Sequence, residues 1–248
     1  MTKPHAGTTR PARLRDRYTE DGRRIREVLS YARRSARLTE RQHRAWETYE
    51  ARWVLDGMAL ETGETTLAAE FGRSAPLVIE IGSGVGETTA AYAAAHPDVD
   101  VLALEVWRPG AADLLHRAAE ADAQNVRVLE QDAVDCLEHV LPAGCAKEVW
   151  TFFPDPWHKT RHHKRRLVTA DFAQHIVDVL EPGGVWRLAT DWPPYAEWML
   201  EELAGEPRLD GGVVDRWEER PLTKFERRGL AAGRPIVDLA YVVRDSET

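Results

Sequence analysis

Three alternating glycines begin two residues after an acid near the end of an apolar run, in VIEIGSGVGETTAAYA. Gly82, Gly84 and Gly86 let the backbone turn tightly and come close to a ligand, and a helix starting there aims its first N–H groups at that ligand. The spacing is G-x-G-x-G with Glu87 next, whereas the dinucleotide fingerprint needs its third glycine one residue later. Glu80 and Glu87 would also repel a phosphate. An acid just before the glycines suits a cationic nucleoside cofactor without phosphate: S-adenosylmethionine, with its ammonium and sulfonium. Glu105 ends the second apolar run about 20 residues beyond the glycines, where an acid holds ribose hydroxyls. Asp132 ends the third, placed to accept from an adenine amino group, with Ala133 beside it. Each acid alone reads as a solvated loop residue; three at successive run ends, joined to the glycine turn, read as a site.

The second constellation is FFPDPWHKTRHHKRRL, residues 152–167. Two prolines pin the backbone around Asp155, and Trp157 offers a flat apolar surface for packing or stacking. His158, Lys159, Arg161, His162, His163, Lys164, Arg165 and Arg166 follow at once. Cations this dense beside a carboxylate suit a polyanionic substrate held by its phosphates. The plainer alternative is a solvated face, although such faces normally mix both signs. The histidines have no carboxylate or further histidine nearby to complete a coordination set, and read as hydrogen-bond donors, so no metal is expected.

These residues need a scaffold that brings strand ends together. Strands are expected over 77–82, 99–106, 125–132, 147–153 and 184–190, with helical patterns between them in ETTAAYAAAH, AADLLHRAAEAD, AVDCLEHVL and ADFAQHIVDVL. Near-continuous apolar strands alternating with helices predict an α/β fold: a mostly parallel twisted sheet with helices on both faces. Ligands of such sheets bind outside the carboxyl ends of the strands, where all four acids fall. The final segment predicts an antiparallel hairpin with a charged loop. Upstream, Thr39-Glu40-Arg41-Gln42 matches a capping box and predicts a short helix. Residues 1–25, rich in Arg, Pro and Thr, are expected to be a disordered basic tail, 26–60 a basic arm with a helix, and 61–248 a single domain.

Composition narrows the setting. The two cysteines, Cys136 and Cys145, make neither a disulfide framework nor a zinc spacing. No run reaches the length of a membrane span and no leader pattern opens the chain, so a cytoplasmic protein without a membrane partner is expected. Net charge is −8, which argues against nucleic acid until its distribution is considered. Residues 1–50 carry 13 Lys/Arg and 7 Asp/Glu, about +6, so a basic arm sits on an acidic body.

Taken with YARRSARLTERQ, EIGSGVGE, LEVWRPG, ATDW and RPLTKFERRGLAAGRPIVDL, the FFPDPWHKTRHHKRRL run resembles the bacterial tRNA (guanine-N7-)-methyltransferase family from about Arg26 to the C-terminus. The resemblance implies a Rossmann-like class I methyltransferase using S-adenosylmethionine on tRNA, methylating a guanine of the variable loop. Glu80, Glu105, Asp132 and Asp155 then fall on cofactor-contact positions, and Asp155 on the active-site position. Lys159, Asp191, Thr223, Lys224, Phe225 and Glu226 fall on substrate positions, and Arg161, His162, His163, Lys164, Arg165 and Arg166 on the RNA-contact run. Trp107 departs from the family's smaller or polar residue. Phe225 reads as a loop anchor before a base stacker. No obligate protein partner is indicated. The rival readings are the same chemistry on a small molecule or protein, a non-catalytic RNA-binding descendant of the fold, and a nicotinamide-dependent dehydrogenase.

Overall fold

The computed structural model describes residues 29–32 and 35–244. The expected tail, residues 26–28 and the Arg33-Arg34 pair lie outside the described residues.

Seven strands form one sheet: β1 Leu77–Ile81, β2 Asp100–Leu104, β3 Val126–Leu129, β4 Ala146–Phe152, β5 Leu180–Thr190, β6 Leu209–Val214 and β7 Val237–Val243, ordered β3-β2-β1-β4-β5-β7-β6. The first five run parallel. Period-two alternation along β2 explains why both faces are covered. Leu102 and Leu104 join a core with Phe172, Ile176, Tyr195 and Met199, while Val101 and Ala103 face Trp46, Trp53, Ala93 and Leu114. Helices α1 Glu40–Trp53, α4 Glu87–Ala95 and α5 Arg108–Glu120 supply the second group. Helices α7 Ala170–Val179 and α8 Pro193–Leu203 supply the first.

The capping box is present: Thr39 accepts from the Gln42 backbone while the Gln42 side chain reaches back to the Thr39 backbone. Gln42 also donates to Asp113 at 3.0 Å and Arg41 pairs with Asp113 at 2.5 Å, which docks α1 on α5. Thus α1 packs into the same body as the sheet.

Three local features differ from the sequence pattern. AVDCLEHVL makes only a short turn, α6 Ala133–Asp135, then a π turn over Cys136–Val140 closed by Leu141 N–H donating to Cys136 O at 2.9 Å. The wider turn seats Cys136, Leu137 and Val140 together in the core. Helix α8 has no counterpart among the expected elements because Pro193-Pro194 reads as a breaker; at the first helical positions proline is already in helical φ. The terminal hairpin is β6 and β7, but its connection contains a helix, α9 Lys224–Ala231.

Strand order reverses between β1 and β4, and an open α/β sheet binds ligands in the crevice outside that reversal. Strand β7 is antiparallel to β5 and β6 is antiparallel to β7, so β6 runs parallel to β5. The connection across residues 215–236 therefore starts and ends at the carboxyl edge that also carries the glycine turn and Asp155.

Candidate active site

A cavity of about 490 Å³ opens at this edge. Its walls are the glycine turn, the ends of β2 and β3, the Phe152–Pro156 segment, Asp191 and the start of α9.

The glycine turn is dictated by crowding as well as by φ. Gly86 has φ 72°, and a Cβ there would lie 2.4 Å from Leu114 Cγ on α5. A Cβ on Gly110 of α5 would lie 2.6 Å from Gly84 O, so the helix and the turn are in backbone contact. Glu105 braces the turn: its two carboxylate oxygens accept from Gly84 N and Trp107 N, each at 2.7 Å. Asp132 caps the following turn by accepting from Val134 N at 2.9 Å, and Ala133 lines the cavity beside it. Glu80 is buried and accepts the Thr89 hydroxyl. Burial pushes its carboxyl up to about 7, far enough to outweigh the Thr89 bond. Ser83 Oγ, on the same wall, is buried with no hydrogen-bond partner among the described residues.

Asp155 sits between two strained residues. Phe153 has φ 53° and Trp157 φ 45°, left-handed values that cost a non-glycine residue of order 1–3 kcal/mol each. Several contacts hold them there. Phe153 N–H donates to Ala189 O at 2.7 Å, and its ring lies 5.3 Å from that of Phe225. Trp157 Nε1 donates to Ser30 O at 2.8 Å, and Arg165 stacks over the indole with its guanidinium carbon 3.5 Å from the ring centre. The same guanidinium donates to Leu29 O at 2.9 Å and Tyr31 O at 3.0 Å. Ala32 N–H donates to Asp155 Oδ2 at 2.8 Å. Residues 29–32 of the arm thus lie along the Asp155 segment, with Ser30, Tyr31 and Ala32 in the cavity wall.

The basic run divides in two. Residues Thr160–Arg165 form a 3₁₀ helix, and Lys159, Arg161 and Lys164 are exposed on it. His162 and His163 are half-buried, edge-on to Trp157 and Trp198. Arg166, expected on the RNA-facing run, points inward and is 5% exposed. It donates to Pro156 O at 3.1 Å and lies near the rings of Tyr195 and Trp198. Three residues per turn bring every third side chain to one side, which a row of like letters does not reveal.

The substrate-motif residues divide similarly. Thr223, Lys224 and Phe225 line the cavity, whereas Glu226 is buried behind them. Glu226 pairs with Arg216 at 2.9 Å and with the fully buried Arg220 at 3.1 Å, and Arg220 also binds Asp238 on β7. Burial alone would raise the Glu226 carboxyl; the bonds from Arg216 and Arg220 outweigh it and hold the group below its usual range. Thr223 caps α9 by accepting from Glu226 N at 3.2 Å. Asp191 is buried at the cavity wall, with Arg234 2.9 Å from Oδ2 in an ion contact whose angle is not that of a directed hydrogen bond.

Sequence reading did not place Ser83, Gln131, Arg228 or residues 30–32 in the wall. Ser83 and Gln131 adjoin motif residues and were within reach; the arm has no local pattern that says where it folds back. Among the described residues no group of His, Cys, Asp and Glu could hold a metal ion, and no helix is long and apolar enough to cross a membrane.

A mostly parallel sheet with a glycine turn at its switch point and acids at successive strand ends defines a Rossmann-like fold. The same fold is found in a solved 16S rRNA (adenine(1408)-N(1))-methyltransferase from Catenulisporales acidiphilia, which superposes with a TM-score of 0.51 over 78% of this chain and 95% of that one, at 18% identity. The antibiotic-resistance methyltransferase Kmr superposes with the same score of 0.51 over 73% of this chain and 92% of its own, at 20% identity. A family described as "Putative methyltransferase" matches residues 74–239. The chain is 57% identical, over 94% of both chains, to a tRNA (guanine-N(7)-)-methyltransferase of Nocardioides sp. strain JS614. It is 45% identical to one of Cutibacterium acnes, covering 89% of this chain and 85% of the relative. The chain belongs to the tRNA (guanine-N(7)-)-methyltransferase family.

Proposed function

We propose that this chain transfers the methyl group of S-adenosylmethionine to N7 of a guanine in the variable loop of tRNA, forming 7-methylguanosine, in the cytoplasm. The observation that carries the reading is the position of Asp155: a carboxylate held between two strained residues, Phe153 and Trp157, on the wall of a cavity that the glycine turn also lines. The wall fits the cofactor. Ser83 Oγ is an unmet buried polar atom, and Glu80, Glu105 and Asp132 present carboxylates to a cationic nucleoside. Glu80, Gly82, Gly84, Gly86, Glu105, Asp132 and Ala133 would hold it. When bound it supplies an electrophilic methyl group on a sulfonium.

Guanine N7 carries a free lone pair, so no residue has to remove a proton from the nucleophile. The chain's contribution is then alignment, which can account for about 7–11 kcal/mol of a barrier. Asp155 and Asp191 accept from guanine N1–H and its exocyclic amine, or anchor the cofactor. The ring becomes cationic as N7 is methylated, and the Asp155 carboxylate stabilises that developing charge. Thr223, Lys224 and Phe225 close the substrate side, with Lys159, Arg161 and Lys164 on RNA phosphates.

Transfer of labelled methyl from S-adenosylmethionine to unmodified bulk tRNA, followed by nucleoside analysis, tests the reading. 7-Methylguanosine from the variable loop is the expected product. tRNA binding without transfer would favour a non-catalytic binding protein, and neither binding nor transfer would point to a small-molecule substrate.

A further inference from the structure

Glu87 is the first residue of α4, directly after the glycine turn, and its carboxylate touches the start of α9, which also lines the cavity. Its Oε2 accepts from the backbone N–H of Lys224 at 2.6 Å. The reason lies in helix ends. The first N–H groups of α9 have no partner within the helix; Thr223 takes the one at Glu226, and Glu87 takes the one at Lys224. One carboxylate thus stands between two helix N-termini, the start of α4 that it belongs to and the start of α9, and both dipoles favour its charge. Arg117 Nη2 lies 4.0 Å from the other oxygen and steadies the side chain from α5.

The two ends joined in this way belong to different ligands. The α4 end continues the turn that would hold the cofactor. The α9 end carries Lys224 and Phe225, whose ring lies 5.3 Å from that of Phe153 on the Asp155 segment; further along the same helix Gly229 packs against Asp191. We propose that Glu87 is a positioning residue that links the two sites: fixing the glycine turn fixes the start of α9, so cofactor and tRNA each raise the protein's affinity for the other. This linkage rests on the function proposed above. It goes beyond it by assigning the coupling to one side chain outside the residues assigned above to either ligand. The physical source is ordering: a segment already held by the first ligand loses less freedom on binding the second.

The test uses the full chain, with S-adenosylhomocysteine as the cofactor probe and unmodified tRNA as the second ligand. Calorimetric affinity for S-adenosylhomocysteine is measured with and without saturating tRNA. The wild-type protein is expected to bind it about tenfold more tightly with tRNA, inside the usual range for coupled sites, and reciprocity requires the same factor for tRNA. Glu87→Ala is expected to bring that ratio to within about twofold of unity while leaving affinity without RNA within about threefold of wild type. A merely structural role would weaken both binary affinities and leave the ratio intact. Glu87→Gln keeps an acceptor for the Lys224 N–H and is expected to retain a ratio of at least about three. A Glu87→Ala protein with the wild-type ratio would overturn the proposal, as would a wild-type protein that binds both ligands with no coupling. A wild-type protein that binds neither ligand would overturn it together with the proposed function.

Discussion

Glu80 is ordinary in type and unusual in state. Its carboxyl, normally near 4.5, is raised to about 7 by burial against the sheet. The folded free protein therefore holds a proton that the unfolded chain has already released. The stability this gives is complete below about pH 4.5 and is lost as pH rises through 7. Urea midpoints taken from pH 4.5 to 8 should fall across that window, and Glu80→Gln should flatten the curve. A cationic ligand beside Glu80 favours its ionised form, so cofactor binding near pH 6 should expel a proton. Calorimetry in two buffers of different ionisation heat would detect it as a difference in apparent enthalpy. Asp155 differs: the proposed role needs its charge, and Asp155→Asn should lower turnover at least about a hundredfold, the scale of one lost electrostatic contact, without unfolding the protein. Wild-type turnover in that variant would exclude the role. These acids were legible because each ends an apolar run and the strands converge there. Arg166 and Glu226 were misleading because their neighbours in sequence face the ligand side while they themselves face the core; a motif names residues without saying which of them the backbone turns inward.

At the level of elements, the strands and most of the helices between them follow from period and length, whereas the strand order, with its reversal between β1 and β4, comes from how the strands pair. The π turn and α9 do not, because each depends on tertiary partners, a core position for Cys136 and a pair of arginines beneath the charged loop; α8 is hidden for a local reason, a proline pair that opens the helix instead of breaking it. Arg220 shows how much the arginine support matters. Buried between Glu226 of α9 and Asp238 of β7, it leaves Asp238 without its cation and Glu226 with Arg216 alone when removed. Arg220→Ala should cost about 3–5 kcal/mol in denaturant unfolding. Activity of any folded fraction should show a raised KM for tRNA, since the Thr223–Phe225 wall loses its footing. Gly86→Ala should cost about 2 kcal/mol or more, because the new methyl meets Leu114 in a backbone already at positive φ. Reduced affinity for S-adenosylhomocysteine in parallel would tie the glycine turn to the cofactor; full affinity with only lower stability would separate them.

Over the whole molecule, the net charge of −8 divides into about +6 on residues 1–50 and about −14 on the remainder, and exposed cations gather on the 3₁₀ helix beside Asp155. Residues outside the arm are acidic on balance, so binding should be oriented and steeply dependent on salt. Replacing Lys164 or Arg161 by alanine should reduce the log–log salt slope of tRNA binding by about 1 each, with no loss of stability. Arg166→Ala should lower stability and leave the slope unchanged, which a salt titration and a thermal melt on the same variants would distinguish. The path of the last two strands has a different kind of consequence. Because β6 runs parallel to β5, the 215–236 connection begins and ends at the sheet edge that carries the glycine turn and Asp155, which is the substrate side in the proposed function. Residues inserted there would lengthen a wall of the substrate entrance while leaving the glycine turn, the strand registers and the two cores untouched. Descendants of this chain could thus exchange one target for another by changing the length of a single connection, with the reaction itself inherited intact.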